Sequence, residues 1–200
     1  MIVLYLALAG LLTFVFGVGI LGLLLRKHPS KENAEKNSRI AHFLFFAALG
    51  TPFVIWVFYP GLTHVDELVG LKPLPLRPIF LVIGIGIAFP GLFLLGITNK
   101  SLRALGRGAN AFRLTKQVVD QDIYKYTRNP MSLGYYLFAL SIGFISGSTL
   151  LTLAVLFGVI PAHIFFLKYL EELELELRLG ESYKEYKQKT PFLIPRFSAK

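Results

Sequence analysis

The length of its uncharged apolar runs most limits what this chain can become. Residues 2–25, 40–59 and 78–97 each contain no Asp, Glu, Lys or Arg. At about 1.5 Å per residue, about 20 helical residues cross the roughly 30 Å of a bilayer's hydrocarbon. Residues 131–167 are equally uncharged, and only "SGS" at 146–148 interrupts them. That run reads as two helices joined by a tight turn. The first, at roughly 15 residues, is shorter than a full crossing requires. The expectation is an all-α polytopic membrane protein with about five membrane helices. The last two form a helical hairpin.

Composition supports this reading. Hydrophobic residues make up 54% of the 200 residues and charged residues 16%, against about 25% charged in soluble domains. The net charge is +9. In a soluble chain that would suggest nucleic acid. Here the basic residues lie between apolar runs, where they set orientation and meet anionic lipid rather than nucleic acid. The first run begins with no basic segment and is longer than the 7–15 residues of a signal-peptide core, so it is expected to be a retained helix. The absence of cysteine excludes disulfides and thiolate metal sites.

Segment 26–39 holds five Lys or Arg, segment 98–130 seven, and the tail from Lys168 seven. Segment 60–77 holds only Lys72 and Arg77. Five crossings would place nineteen basic residues on one side and two on the other. The positive-inside rule then puts the N-terminus outside and the C-terminus in the cytosol. The outer segment, rich in Pro and Gly, reads as an ordered loop. The charged stretch after Leu167 cannot lie in lipid. The last membrane helix should continue into the cytosol to Leu179, stop at Gly180, and be followed by a short helix from Glu181 to about Lys189. Residues 1–97 would form the first three membrane helices. Residues 98–200 would form a cofactor-binding and catalytic part integrated with them.

Several patterns have ordinary readings. "GVGILG" at 17–22 has the spacing of a dinucleotide fingerprint, but it sits inside an apolar helix with no preceding strand. Close helix packing at Gly17, Gly19 and Gly22 explains it, and Gly84, Gly86 and Gly91 take the same reading. Four histidines without helical spacing make no metal site. His163 falls inside a membrane helix, where an ionisable group tends to line a polar cavity. In the acidic run "EELELE", Glu171 and Glu172 lie within a turn of the expected membrane surface, which favours a functional role. Glu174 and Glu176 read as a solvated face.

"YTRNPMSLG" at 126–134 sits directly ahead of an apolar helix. Asn129 suits an N-cap and Pro130 the first helical position. Arg128 could then simply lie along lipid headgroups. The same geometry also serves a ligand. A helix N-terminus presents free N–H groups and partial positive charge to an anion, and Arg128 would add a bidentate clamp. With Glu171 or Glu172 facing it, the site would suit a zwitterion.

These residues carry a resemblance. Tyr124, Arg128-Asn129-Pro130, Gly134, the pair Glu171-Glu172, Leu175, Gly180, Tyr183, Tyr186 and Pro195 have the spacing found in the integral-membrane methyltransferases of the isoprenylcysteine carboxyl methyltransferase and phospholipid methyltransferase group. The match runs over about residues 100–196. The resemblance implies S-adenosylmethionine as cofactor, with S-adenosylhomocysteine as product. It implies cofactor contacts at Lys116, Gln117, Val118, Val119, Tyr124, Asn129, Pro130, Met131, Ser132 and Glu171. Arg128 and Glu172 would be the catalytic residues. The acceptor would be lipophilic or lipidated and enter from the bilayer, a prenylcysteine-like carboxylate first among the possibilities. Asn129 stands where the motif usually has His, and Ser132 where a tyrosine is common. Leu167 stands where prenylcysteine enzymes have arginine, four residues before the Glu pair. A single charge near the membrane surface rarely decides stability, so neutralising Glu171 or Glu172 is expected to leave the protein folded. The rival readings are an NADPH-dependent membrane reductase of sterol-reductase type and a non-catalytic membrane scaffold.

Overall fold

Apolar side chains surround the bilayer-length runs on nearly every side, so each such run buries one stripe and leaves the rest to lipid. The computed structural model describes residues 1–106 and 114–196. The elements are α1 (Ile2–Lys27), α2 (Lys31–Tyr59), the short α3 (His64–Leu68), α4 (Arg77–Leu105), α5 (Pro130–Ser146), α6 (Thr149–Leu179) and α7 (Glu181–Lys189). No strand occurs among the described residues. Four helices, α1, α2, α4 and α6, are long and apolar enough to cross a bilayer. The fifth, α5, has 17 residues. Arg107, Arg113 and Lys200, counted above among the basic residues, lie outside the described residues.

On α1, Val3, Gly10, Phe14, Val18, Leu21 and Leu25 are buried at helical spacing, while Ile2, Tyr5, Leu12, Phe16 and Ile20 face outward. Phe58, Phe89 and Phe157 are more than two-thirds exposed. So much outward apolar surface suits hydrocarbon and would be anomalous in water.

Two boundaries differ from the sequence expectation. The second helix begins at Lys31 rather than about residue 40, because Ser30 caps it by accepting from the Asn33 amide at 3.1 Å. Its polar first turns are also held, with the buried Asn37 amide donating to the Leu21 carbonyl at 3.1 Å. The third long helix runs to Leu105 rather than 97. "TNKSLRAL" contains no breaker, and Thr98 satisfies its hydroxyl on the Leu94 carbonyl at 2.6 Å.

Helices α4 and α5 pack closely through glycine. A Cβ on Gly91 would lie 2.9 Å from the Phe138 amide nitrogen, and one on Gly134 would lie 2.9 Å from the Gly91 carbonyl oxygen. Gly17, Gly22 and Gly84 are likewise covered by Leu44, Tyr169 and Phe144. Gly19 and Gly86 face open space, so close packing does not explain them.

The hairpin turn is at 146–148, where Gly147 adopts φ +74° and Ser148 caps α6. The 60–77 loop folds onto this turn. The buried Asp66 carboxylate accepts from the Leu150 amide at 2.7 Å and the Thr149 amide at 3.1 Å. The Leu74 amide donates to the Gly147 carbonyl at 2.9 Å. Helix α5 therefore runs from the Arg128 end of the molecule to the end that carries the 60–77 loop.

Helix α6 contains two wide turns with i→i+5 bonding, at Val155–Val159 and Leu167–Glu171. It stops at Gly180 (φ 66°, ψ −142°), a conformation glycine tolerates. Helix α7 then runs back as expected from Glu181 to Lys189.

Candidate functional site

Three chain segments meet at the Arg128 end of the bundle. The first is the approach to α5. The Tyr124 to Asn129 stretch is held by the tail after α7: the Arg128 amide donates to the Pro191 carbonyl at 2.9 Å and the Arg196 amide to the Tyr126 carbonyl at 3.1 Å. The buried Thr127 hydroxyl donates to the Leu193 carbonyl at 3.0 Å. The "PFLIPR" tail is thus a strap across the motif.

Asn129 occupies the N-cap position, but its side chain makes no cap bond. Its amide instead donates to the Phe192 carbonyl at 2.9 Å, so the expected side-chain cap is replaced by a tether to the strap. The first intrahelical bond of α5 runs from the Leu133 amide to the Asn129 carbonyl. The amides of Met131 and Ser132 precede it, as in any helix start.

The second segment is the end of α6. Glu172 is buried and gathers three cations. Arg128 Nη2 is 2.9 Å from its Oε1, Lys187 Nζ 2.8 Å from its Oε2 and Lys168 Nζ 3.3 Å from its Oε1. Lys187 also reaches Glu176 at 2.8 Å. Burial works against the Lys187 ammonium, yet its bonds to Glu172 and Glu176 hold its pKa above the ordinary lysine value.

This corrects three readings. Arg128 does not lie along headgroups, since its side chain is only 7% exposed. Nor is it a free bidentate clamp. Nη1 donates to the Lys187 carbonyl at 2.8 Å and Nη2 to Glu172, while the buried Nε alone has no partner. Glu174 is not on a solvated face either. It is buried, and it pairs with Arg178, whose Nη1 donates to the Thr115 carbonyl at 2.7 Å.

The third segment is 114–125, with Tyr124 buried beneath Tyr186, whose hydroxyl donates to the Tyr124 carbonyl at 2.8 Å. Burial, then the neighbouring Tyr186 and Glu171, push the Tyr124 phenol well above its ordinary pKa, so it stays a neutral donor. Tyr183 behaves likewise, for burial and for its proximity to Glu171 and Glu172.

Between these segments lies a cavity of about 320 Å³. Gln117, Val118, Val119, Tyr124, Arg128, Asn129, Pro130, Met131, Ser132 and Glu171 all line it. Lys116 does not. It lines an adjoining basic hollow with Lys31 and Arg39, which shares Leu114, Thr115, Arg178 and Leu179 with the cavity. Glu172 does not line the cavity; it lies behind Arg128 and orients it. Glu171 makes no hydrogen bond or ion pair with any described residue, so one wall carries an unused carboxylate. Sequence reading missed Lys187, Glu174, Arg178 and the deeper lining residues His42, Tyr135 and Phe166. The i, i+4 spacing of Glu174 and Arg178 was the one local signal available.

The cavity continues into the membrane helices. His163 lines it, and His163 Nδ1 lies 2.8 Å from the Tyr136 hydroxyl. No cluster of His, Asp and Glu able to hold a metal occurs among the described residues.

The donor set suits a zwitterionic ligand. Arg128 and the start of α5 give one wall cationic character, and the Glu171 carboxylate, unpaired among the described residues, lines the same space. Neither curated proteins nor solved structures match the chain. The family model described as phospholipid methyltransferase matches residues 79–181, half of the chain and all three segments of this site up to α7. With its apolar helices and this match, the chain is an integral membrane protein that belongs to the phospholipid methyltransferase family.

Proposed function

We propose that the protein transfers a methyl group from S-adenosylmethionine to a lipophilic acceptor that reaches the cavity from the bilayer. The observation that carries this is one cavity lined by Arg128 and the first residues of α5 and also by Glu171, whose carboxylate pairs with no described residue. When bound, the cofactor supplies a methyl group on a sulfonium sulfur. Arg128 and the first amides of α5 would hold its carboxylate, and Glu171 its ammonium. Gln117, Val118, Val119 and Tyr124 would form the wall beside it. Glu172 would act at one remove, by fixing the guanidinium. Lys116 is placed outside this set.

The residues do little covalent work in such a reaction. They position the reactants and exclude water, and the 191–196 strap and α7 close the cytosolic side. The proposed acceptor is a lipophilic carboxylate of prenylcysteine-like type, which is ionised near pH 7 and needs no general base. An amine acceptor would need one.

The test is binding in detergent. S-Adenosylhomocysteine should bind and NADPH should not. Methyl transfer from labelled cofactor to a panel of lipophilic carboxylates and amines then identifies the acceptor. NADPH binding alone would install the reductase reading, and binding of neither would leave a scaffold.

A further inference from the structure

The cavity has an inner end that the cofactor reading does not use. Phe45, Leu95, Phe166 and Leu167 line it. His163 lies among them, eight residues before Glu171 on α6, or about 12 Å along the helix at 1.5 Å per residue. Its imidazole is packed by Phe45, Phe166 and Tyr135, with ring centroids at 4.8, 5.5 and 6.0 Å. Such packing fixes the ring's orientation.

The proton on that ring can be placed from its partners. The Tyr136 hydroxyl is 2.8 Å from Nδ1, and it meets no other acceptor among the described residues. A buried hydroxyl proton left without an acceptor is costly. The hydroxyl therefore donates to Nδ1, which puts the imidazole proton on Nε2. No described residue accepts from Nε2. His42, which also lines the cavity, has the opposite arrangement. Its Nδ1 donates to the Ser38 carbonyl at 2.8 Å, so the hydrogen bond fixes the opposite tautomer of the neutral ring.

We propose that His163, with its tautomer set by Tyr136, donates from Nε2 to a carboxylate oxygen of the lipophilic acceptor and so holds the other oxygen toward the cofactor. This rests on the methyl-transfer reading and adds to it the contact that recognises the acceptor. His163 binds the acceptor, and Tyr136 is a positioning residue that acts through it.

The experiment compares wild type with His163→Leu, His163→Gln and Tyr136→Phe in detergent. The probe is a prenylated N-acetylcysteine, and S-adenosylhomocysteine affinity is measured beside transfer. Glutamine can place an amide N–H near the Nε2 position, and leucine cannot. His163→Leu should raise KM for the carboxylate about ten-fold or more, as expected for losing a hydrogen bond to a charged group, with S-adenosylhomocysteine affinity unchanged. His163→Gln should restore most of the loss. Tyr136→Phe should raise KM less than His163→Leu and leave cofactor affinity alone. An unchanged KM in His163→Leu, or no rescue by glutamine, overturns the proposal. So does a wild-type protein that binds S-adenosylhomocysteine but methylates only amines, an outcome that leaves the cofactor reading intact. Failure of wild type to bind S-adenosylhomocysteine removes both.

Discussion

Arg128 Nη2 and Glu172 Oε1 meet at 2.9 Å across 44 residues of sequence, with both side chains more than nine-tenths buried. The pair joins the start of α5 to the end of α6, and Lys187 and Lys168 complete it. Removing one member of a buried ionic cluster leaves charge without compensation, which typically costs about 3–5 kcal/mol.

Glu172→Gln is therefore expected to lower stability by a few kcal/mol, contrary to the expectation that a single surface-level charge is dispensable. Thermal unfolding in detergent checks this. A melting temperature within a degree of wild type would mean that the three cations are stabilised elsewhere.

Glu171→Gln should behave differently, since the Glu171 carboxylate pairs with no described residue. Stability should hold, and S-adenosylhomocysteine affinity should fall about ten-fold, the size of one lost charged hydrogen bond. Titration calorimetry on the purified mutant separates the two effects. Equal affinity in mutant and wild type would place the ligand's ammonium away from Glu171.

Arg128→Lys keeps the positive charge near Glu172 but deletes the orphaned Nε donor. Cofactor affinity should drop more than stability does. If stability alone falls, Nε has no ligand role.

Asp66 caps α6 from a loop 83 residues earlier, through the Thr149 and Leu150 amides. Asp66→Ala should cost about 1–2 kcal/mol, as loss of a helix cap does, without touching cofactor affinity. Hydrogen exchange at Thr149 and Leu150 should quicken if this is right, and remain protected if the cap is idle.

We propose the orientation that the nineteen-to-two division of basic residues implies, with the 60–77 loop and α7 on opposite sides of the membrane. Single cysteines at Thr63 and Lys189 should label from opposite sides of the membrane. Labelling from one side would mean that α5, with its 17 residues, does not cross.

The sequence by itself determined most of the elements, though not α3, the start of α2 or the end of α4. Uncharged runs of bilayer length specified the helices, "SGS" the hairpin turn, and Gly180 the break before α7, because hydropathy, caps and positive-φ glycine act within a few residues of where they are written. The segments that build the site were legible too, since Gln117 to Val119, Tyr124, Arg128 to Ser132 and Glu171 do line one cavity. Side-chain partners were not. Arg128 looked like a clamp for a ligand, and only folding shows that the Lys187 carbonyl takes one of its nitrogens and that Lys187 and Lys168 gather on Glu172 beside it. Lys187, on α7, becomes a member of the cluster only when the tail folds back over the motif. Glu174 looked solvated, and the tertiary structure buries it. The wide turn at Leu167–Glu171 adds a residue to one turn of α6. That extra residue rotates everything beyond it by about 100°, so a face read from regular spacing does not carry through. Long-range pairing and helix rotation depend on how whole helices meet, and no local pattern encodes that.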